Sequence, residues 1–354
     1  MALTPITSLE TLREYLYAGI QLEHATIPVY LTTLYSIHPG TNLDACQMLR
    51  VVAVEEMLHM TLSANMLNAV GGKVDLTEPG FVPTFPTPLP DGEKDFTVDR
   101  QKFSPAALES FLKIERPAKA TSQSGRFVKR AKIAGRMLPT LKSESGEELH
   151  FYSIGEFYDA IQLGMEHLCA ELGEDRVFTG DRSRQVTPEY YYSGGGEINP
   201  VYDLASAKVA IRMISEQGEG FEGSIADFEN EISHNYRFDQ LKKGRYYRLG
   251  DEPEKPTGDP VAVDWDAVYP IKTNAIISDY PEGSEVRLAA LDFNRAYKGF
   301  LADLTIAFNG KPELLIPAVG MMFRIKELAL QIVRNPIPDG SGLNAAPTFE
   351  MESV

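Results

Sequence analysis

Glu56 and His59 stand three residues apart in the run Val51-Val52-Ala53-Val54-Glu55-Glu56-Met57-Leu58-His59-Met60. Leu49, Val52, Met60, Leu67 and Val70 recur around them at helical spacing, so a helix here turns both side chains the same way, onto its apolar face. A carboxylate oxygen and an imidazole nitrogen on one face are a donor pair for a divalent transition metal such as iron. On its own a Glu-x-x-His pattern recurs by chance, and the plain alternative is two solvated glutamates and a core histidine.

The preceding segment raises the pattern above chance. A helix starts near a capping box of Thr7 with Glu10 and carries the apolar stripe Leu9, Leu12, Leu16, Ile20, Ile27, Leu31, Leu34, with Glu23 in its gap. Pro39-Gly40-Thr41 then turns the chain, and so short a connection makes the two helices antiparallel neighbours. Glu23 lies 17 residues before Gly40 and Glu56 lies 16 after it. At about 1.5 Å of rise per residue the two acids meet at one height. Burying Glu23, Glu56 and His59 together costs several kcal/mol by desolvation, roughly what a divalent cation offsets.

The elements that must position these groups follow from the rest of the chain. Helices over about 8–37 and 42–70 form the hairpin, stopped by Gly71-Gly72; Pro28 is expected to kink the first helix or to begin a second segment there. Residues 73–150, rich in Pro and charge, read as a long crossover with one short helix near Ser104 to Leu112 and a solvated basic patch of Arg126, Lys129, Arg130, Lys132 and Arg136. A third helix, 152–172, places Glu156 with Tyr152, Ala160 and Leu163. The loop that follows is expected to hold short strands around Gln185-Val186 and Tyr190-Tyr191-Tyr192, and its Gly194-Gly195-Gly196 run reads as turn chemistry. A fourth helix, 203–217, ends in Glu216-Gln217-Gly218-Glu219-Gly220, and a further helix over about 229–238 contains a second Glu-x-x-His, Glu231 with His234. In domain terms, 1–243 is a metal-binding bundle with 73–150 inserted, 244–282 an irregular connection, and 283–354 a helical hairpin and tail packed on the bundle.

Bulk properties bound the function. With 34 basic and 50 acidic residues the formal net charge is −16, which argues against nucleic acid and anionic lipid as partners. Cys46 and Cys169 are the two cysteines, so no disulfide framework is expected and a reducing compartment is the natural setting. Met1-Ala2-Leu3-Thr4-Pro5 lacks the pattern of a signal peptide and no apolar run approaches the roughly 20 residues of a membrane span. The expectation is a cytoplasmic protein, with a homodimer as the default assembly.

Di-iron carboxylate bundles take a Glu from each of two helices and a Glu-x-x-His from each of the other two. This chain offers Glu23, then Glu56 with His59, then Glu156, then a fourth region with Glu216, Glu219, Glu231 and His234. The blocks Gln21-Leu22-Glu23-His24-Ala25-Thr26-Ile27-Pro28, Glu55-Glu56-Met57-Leu58-His59, Ile154-Gly155-Glu156-Phe157-Tyr158 and Glu216-Gln217-Gly218-Glu219-Gly220 resemble those of the VioB-like ferritin-like family, and the closing Pro347-Thr348-Phe349-Glu350 is similar to that family's tail. That family includes the ferritin-like part of iminophenylpyruvate dimer synthases. The resemblance implies a ferritin-like four-helix bundle, mainly α, with the long crossover after helix two. It also implies iron dependence and oxidative coupling of amino-acid-derived imines in longer members. Carried across, Glu23, Glu56, His59 and Glu156 become metal ligands. The fourth helix departs from the pattern, because Glu219 stands where a His is expected. Glu216 with His234 is the preferred completion, Glu219 joining as a ligand or beside one, and Glu231 with His234 is the rival. His24 reads as supporting or structural, and His38, His150 and His167 as structural.

The function these expectations describe is a non-haem di-iron or other dimetal oxidase or oxygenase. It would use dioxygen on a small organic, amino-acid-derived substrate of secondary metabolism. Two iron ions are expected, and manganese shares the donor preferences. The rival is a ferroxidase that binds iron with no organic substrate.

Overall fold

The structure is a computed structural model, and it describes residues 6–88, 97–117, 132–133, 136–137, 151, 153–192, 195–221 and 223–351. Arg126, Lys129, Arg130, the side chains of Lys132 and Arg136, His150, Tyr152 and Gly194 lie outside the described residues.

Two long helices come first, α1 (Leu9–Tyr35) and α2 (Leu43–Ala69). The cap of α1 is Ser8, whose hydroxyl accepts the Thr11 N–H at 3.1 Å, one residue beyond the expected Thr7. The helix runs through Pro28 without a break, and the Thr32 hydroxyl donates to the Pro28 carbonyl at 2.6 Å. Asn42, at φ 46°, takes the left-handed conformation that closes the connection into α2. After α2 come α3 (Pro105–Ile114), a two-residue antiparallel pair β1 (Lys132–Ile133) and β2 (Arg136–Met137), α4 (Ile154–Leu172), the single turn α5 (Glu174–Val177), α6 (Leu204–Glu219), α7 (His234–Lys243), α8 (Glu285–Phe308) and α9 (Leu315–Val333).

Four of these make the bundle: α1 packs on α2 and α4, and α6 packs on α4 and α2. The crossover falls between α2 and α4, as the sequence implied. Ser153 caps α4 by accepting the Glu156 N–H, and α6 opens on a reciprocal box between Asp203 and Ser206. α7 packs on α2, α3 and α6, while α8 and α9 form a hairpin that touches α2 and α1. One apolar cluster runs through the bundle, the crossover helix and this hairpin.

Two expectations need correction. No strand forms at Gln185-Val186 or Tyr190–Tyr192: Gln185-Val186 is irregular chain after a short 3-10 turn, Arg182–Arg184, and Tyr190 ends a second, Pro188–Tyr190, with Tyr191 and Tyr192 irregular after it. Asn65 of α2 supplies what a partner strand would: its Oδ1 accepts the Val186 N–H at 2.8 Å and its Nδ2 donates to the Val186 carbonyl at 2.9 Å. The helix expected from 229 begins only at His234. Upstream, the Asp227 carboxylate accepts the N–H groups of Glu229 and Glu231, both at 2.9 Å, and Asn230 sits at φ 64°, which folds a turn instead of a helix. Glu231 and His234 therefore do not share a helical face.

Arg100 fastens the crossover to the end of the chain. It is buried, its Nη1 donates to the Pro347 carbonyl at 2.8 Å and its Nη2 to the Ala275 carbonyl at 2.9 Å, and its guanidinium lies over the rings of Phe85 and Phe349. Burial lowers its pKa to about 10, so it still carries its charge at neutral pH. Arg100→Ala strands two buried carbonyls and opens a cavity, at an expected cost of about 3 kcal/mol in urea unfolding. A loss below about 1 kcal/mol would contradict this role for the side chain.

Candidate metal centre

Glu23 of α1 and Glu56 and His59 of α2 come together at one level of the hairpin, all at most 2% exposed. His59 Nδ1 lies 3.5 Å from Glu23 Oε2, and the Thr26 hydroxyl donates to Glu56 Oε2 at 2.9 Å. The residue count across the turn therefore predicted the meeting point correctly. Glu56 belongs at the same time to a second group, with Glu115 and His234. In each group the donor atoms lie within 4.8 Å of one another, and all five residues are buried.

The second group comes from short elements. Glu115 is the C-cap of α3, and His234 is the first residue of α7. His234 Nδ1 lies 3.0 Å from Glu56 Oε1 and 3.4 Å from Glu115 Oε2. Both are ion-pair contacts outside hydrogen-bond geometry, so among the described residues this fully buried nitrogen lies between carboxylate oxygens without a directed hydrogen bond. A ring nitrogen aimed among carboxylate oxygens yet bonded to none is what a ligand set looks like around a cation. The donors present, three carboxylates and two imidazoles, fit iron or manganese.

Each donor is oriented from behind. The Tyr158 hydroxyl donates to Glu23 Oε1 at 2.6 Å, and the Tyr30 hydroxyl donates to Glu115 Oε1. His59 Nε2 meets Gln217 Oε1 at 2.8 Å, and the Gln217 Nε2 donates to the Gly195 carbonyl at 2.8 Å. His234 Nε2 meets Glu55 Oε2 at 2.8 Å, and Arg237 Nη1 holds the same carboxylate at 3.1 Å. Because Gln217 and Glu55 present acceptor oxygens, both Nε2 atoms donate, which leaves Nδ1 of each ring, beside Glu23 for His59 and beside Glu56 and Glu115 for His234, as the nitrogen that would face a cation.

Electrostatics reflect the crowding. Burial, together with the charges of Glu115 and Glu23, pushes the Glu56 carboxyl up to about 7. For Glu55 burial acts upward, but the His234 hydrogen bond and the Arg237 charge outweigh it and bring the group below its ordinary value. Burial would lower both imidazoles, yet the surrounding carboxylates hold His59 above its usual range and His234 well above it.

The other expected ligands are placed differently. Glu156 sits half-buried in the first turn of α4, outside both groups of donor atoms. Glu216 belongs to neither group: its Oε1 accepts Arg212 Nε at 2.6 Å and its Oε2 the Phe228 N–H at 3.1 Å. It ties α6 to the following loop. Glu219 does border the centre, lining one cavity with Glu23, Glu56, His59, Glu115, Ile114, Ile154, Ile214 and Ser215. Its Oε1 accepts the Gly155 N–H at the start of α4 at 2.7 Å, and a Cβ on Gly155 would come within 2.8 Å of that carboxylate. Glu231 is exposed on the surface and paired with Arg237. His24 meets the Tyr297 hydroxyl at 2.7 Å, burial lowers its pKa to about 3, and it serves the packing of α1 on α8. His38 packs edge-on against Tyr269.

Two contributors escaped the sequence reading, Glu115 and Glu55. For Glu115 a signal existed: Ala107, Phe111 and Glu115 recur every fourth residue, so the acid ends the buried stripe of α3. For Glu55 the signal was the burial of Met48, Leu58 and Leu62, seven before and three and seven after it.

The strap around Gly195 passes close behind the centre. At φ 100°, a Cβ there would stand 2.4 Å from Glu55 Cγ. Gly195→Ala is expected to push Glu55 off His234 and to destabilise the fold by about 2 kcal/mol or more. Unchanged melting and metal content in that variant would contradict the close approach.

The Ferritin-like family model matches residues 16–243, which holds the bundle and all five clustered donors. Dichlorochromopyrrolate synthase of Lentzea aerocolonigenes is 25% identical over 336 residues, an alignment covering 85% of this chain but 29% of that protein. This chain thus spans under a third of the length of that relative. A crystal structure of a ferritin-like protein from Caulobacter vibrioides superposes with a TM-score of 0.65 at 22% identity, covering 98% of this chain and 100% of the other. With the family match extending over more than half of its length, the chain belongs to the ferritin-like family, as the VioB-like resemblance of its motifs implied.

Proposed function

We propose that this chain is a non-haem dimetal oxidase or oxygenase acting on a small organic substrate derived from an amino acid. Glu23, Glu56 and His59 would hold one iron and Glu56, Glu115 and His234 the other, with Glu56 shared and Glu219 at the border of the site. The observation that carries this reading is the convergence of His234 Nδ1, Glu56 and Glu115 on one buried point, with no directed hydrogen bond to that nitrogen among the described residues. When bound, such a pair supplies electrons to dioxygen. Manganese is the other metal these donors accommodate.

The chain's own groups have definable tasks. Thr26, Tyr158 and Tyr30 each donate a hydrogen bond to one of the three carboxylates and so fix which oxygen is left for a cation. Ile114, Ile154 and Ile214 line the cavity beside the donors and keep bulk water from it. The Ser215 hydroxyl, buried and without a hydrogen-bond partner among the described residues, is a polar group in that wall that a substrate atom would meet. Alignment with a protein named as a synthase supports an organic substrate over iron handling alone.

The test is dioxygen consumption by iron-loaded protein with and without aromatic α-amino and α-imino acids. Continuing uptake with one of them, on the order of 1 per second or faster, is the expected result. A single burst proportional to the iron added, and indifferent to every organic compound, would favour the ferroxidase reading instead.

A further inference from the structure

The two halves of the centre match in almost every respect. Each has one imidazole, one carboxylate of its own that accepts a buried tyrosine hydroxyl, and a share of Glu56. They differ in what stands behind the imidazole. Behind His59 is the neutral amide of Gln217, itself fixed by the Gly195 carbonyl. Behind His234 is the carboxylate of Glu55, 1% exposed. Arg237 does not cancel that negative charge, because it is divided between Glu55 at 3.1 Å and Glu231 at 2.8 Å, leaving the trio one negative charge in excess.

A carboxylate accepting the far N–H of an imidazole raises the basicity of the nitrogen that faces a metal, and a neutral amide does so far less. We infer that Glu55 and Gln217 are positioning residues that make the two sites unequal, so that the Glu56, Glu115 and His234 half fills first and the Glu23, Glu56 and His59 half second. This inference rests on the dimetal reading above and adds an order of loading to it. A centre that fills in order also has one ion held firmly while the other, on the α1 and α2 side, is the one free to exchange.

The experiment is an anaerobic titration of the full chain, stripped of metal, with Co²⁺ followed by its visible absorption. Wild type is expected to take two ions in two steps separated by roughly tenfold or more in Kd. Glu55→Gln should weaken the first step by about 10- to 100-fold and merge the two. Gln217→Glu, which adds the carboxylate behind the other ring, should tighten the second step by a similar factor, a gain that a merely structural role would not produce. Two equal steps in the wild type, or an isotherm that neither substitution alters, would overturn the inference and leave the dimetal reading standing. Uptake of fewer than two ions by the wild type would overturn both.

Discussion

Glu56→Ala is expected to strip both metal ions from the protein at once. Glu56 is the one residue common to the two clusters, with its Oε1 at 3.0 Å from His234 Nδ1 and its Oε2 held by Thr26. Removing it leaves each half with one carboxylate and one imidazole, too few donors for tight binding of a hard divalent ion. Glu23→Ala and Glu115→Ala each spare the other half, so those variants should keep close to one ion. Elemental analysis after gel filtration should give two ions in wild type and on the order of a tenth of that in Glu56→Ala, from at least a hundredfold loss of affinity. If Glu56→Ala kept one full equivalent, Glu56 would not be shared.

Metal removal should lower the melting temperature sharply, and by more as pH rises. Two ions each present at a thousand times their Kd stabilise a fold by about 4 kcal/mol apiece, which for a chain of this size is roughly 10 °C or more. The pH dependence follows from the groups that face one another in the metal-free centre. Burial and the neighbouring acids raise Glu56 from its ordinary 4.5 to about 7 in the folded state. Its proton therefore stabilises the metal-free fold fully below pH 4.5, and that contribution is lost as pH rises through 7. His59 and His234, both raised, act in the same direction. Glu55 is lowered, so its contribution is already complete at pH 5 and stays constant above it. The metal-free protein should thus melt lower at pH 8 than at pH 5.5, while the loaded protein gains over the same interval because protons no longer compete for the ligands. Scanning calorimetry at both pH values, with and without iron, checks this. A metal increment that shrinks as pH rises would contradict the ligand set.

What the sequence disclosed depended on whether helical arithmetic applied. Glu23, Glu56 and His59 were legible because they lie on two unbroken helices joined by a short turn, where a fixed rise per residue converts spacing into height. The long crossover and the α8–α9 hairpin were legible for a similar reason, from stripes, caps and breakers. Beyond those, the chain crosses loops, and no periodicity predicts where a loop delivers a side chain. Glu115 arrives at the end of a ten-residue helix inside the crossover, and His234 arrives after a turn held by Asp227. The block Glu216-Gln217-Gly218-Glu219-Gly220 was recognised as a motif, but the work inside it is divided differently. Glu216 ties the following loop, Gln217 backs His59, and Glu219 accepts the Gly155 N–H in the first turn of α4. Glu156 carries the family pattern in the first turn of α4, which borders the cavity through Ile154 and Gly155, yet it belongs to neither group of clustered donors, and a motif match alone does not report that.

Five buried side chains, Glu23, Glu56, His59, Glu115 and His234, would together hold two metal ions that share Glu56. Anomalous scattering at the iron edge from crystals of protein loaded with Fe²⁺ tests it directly. Two peaks are expected, one between Glu23, Glu56 and His59 and one between Glu56, Glu115 and His234. A single peak, or iron seated on Glu156 or Glu216 with His234 left without a metal, would contradict it.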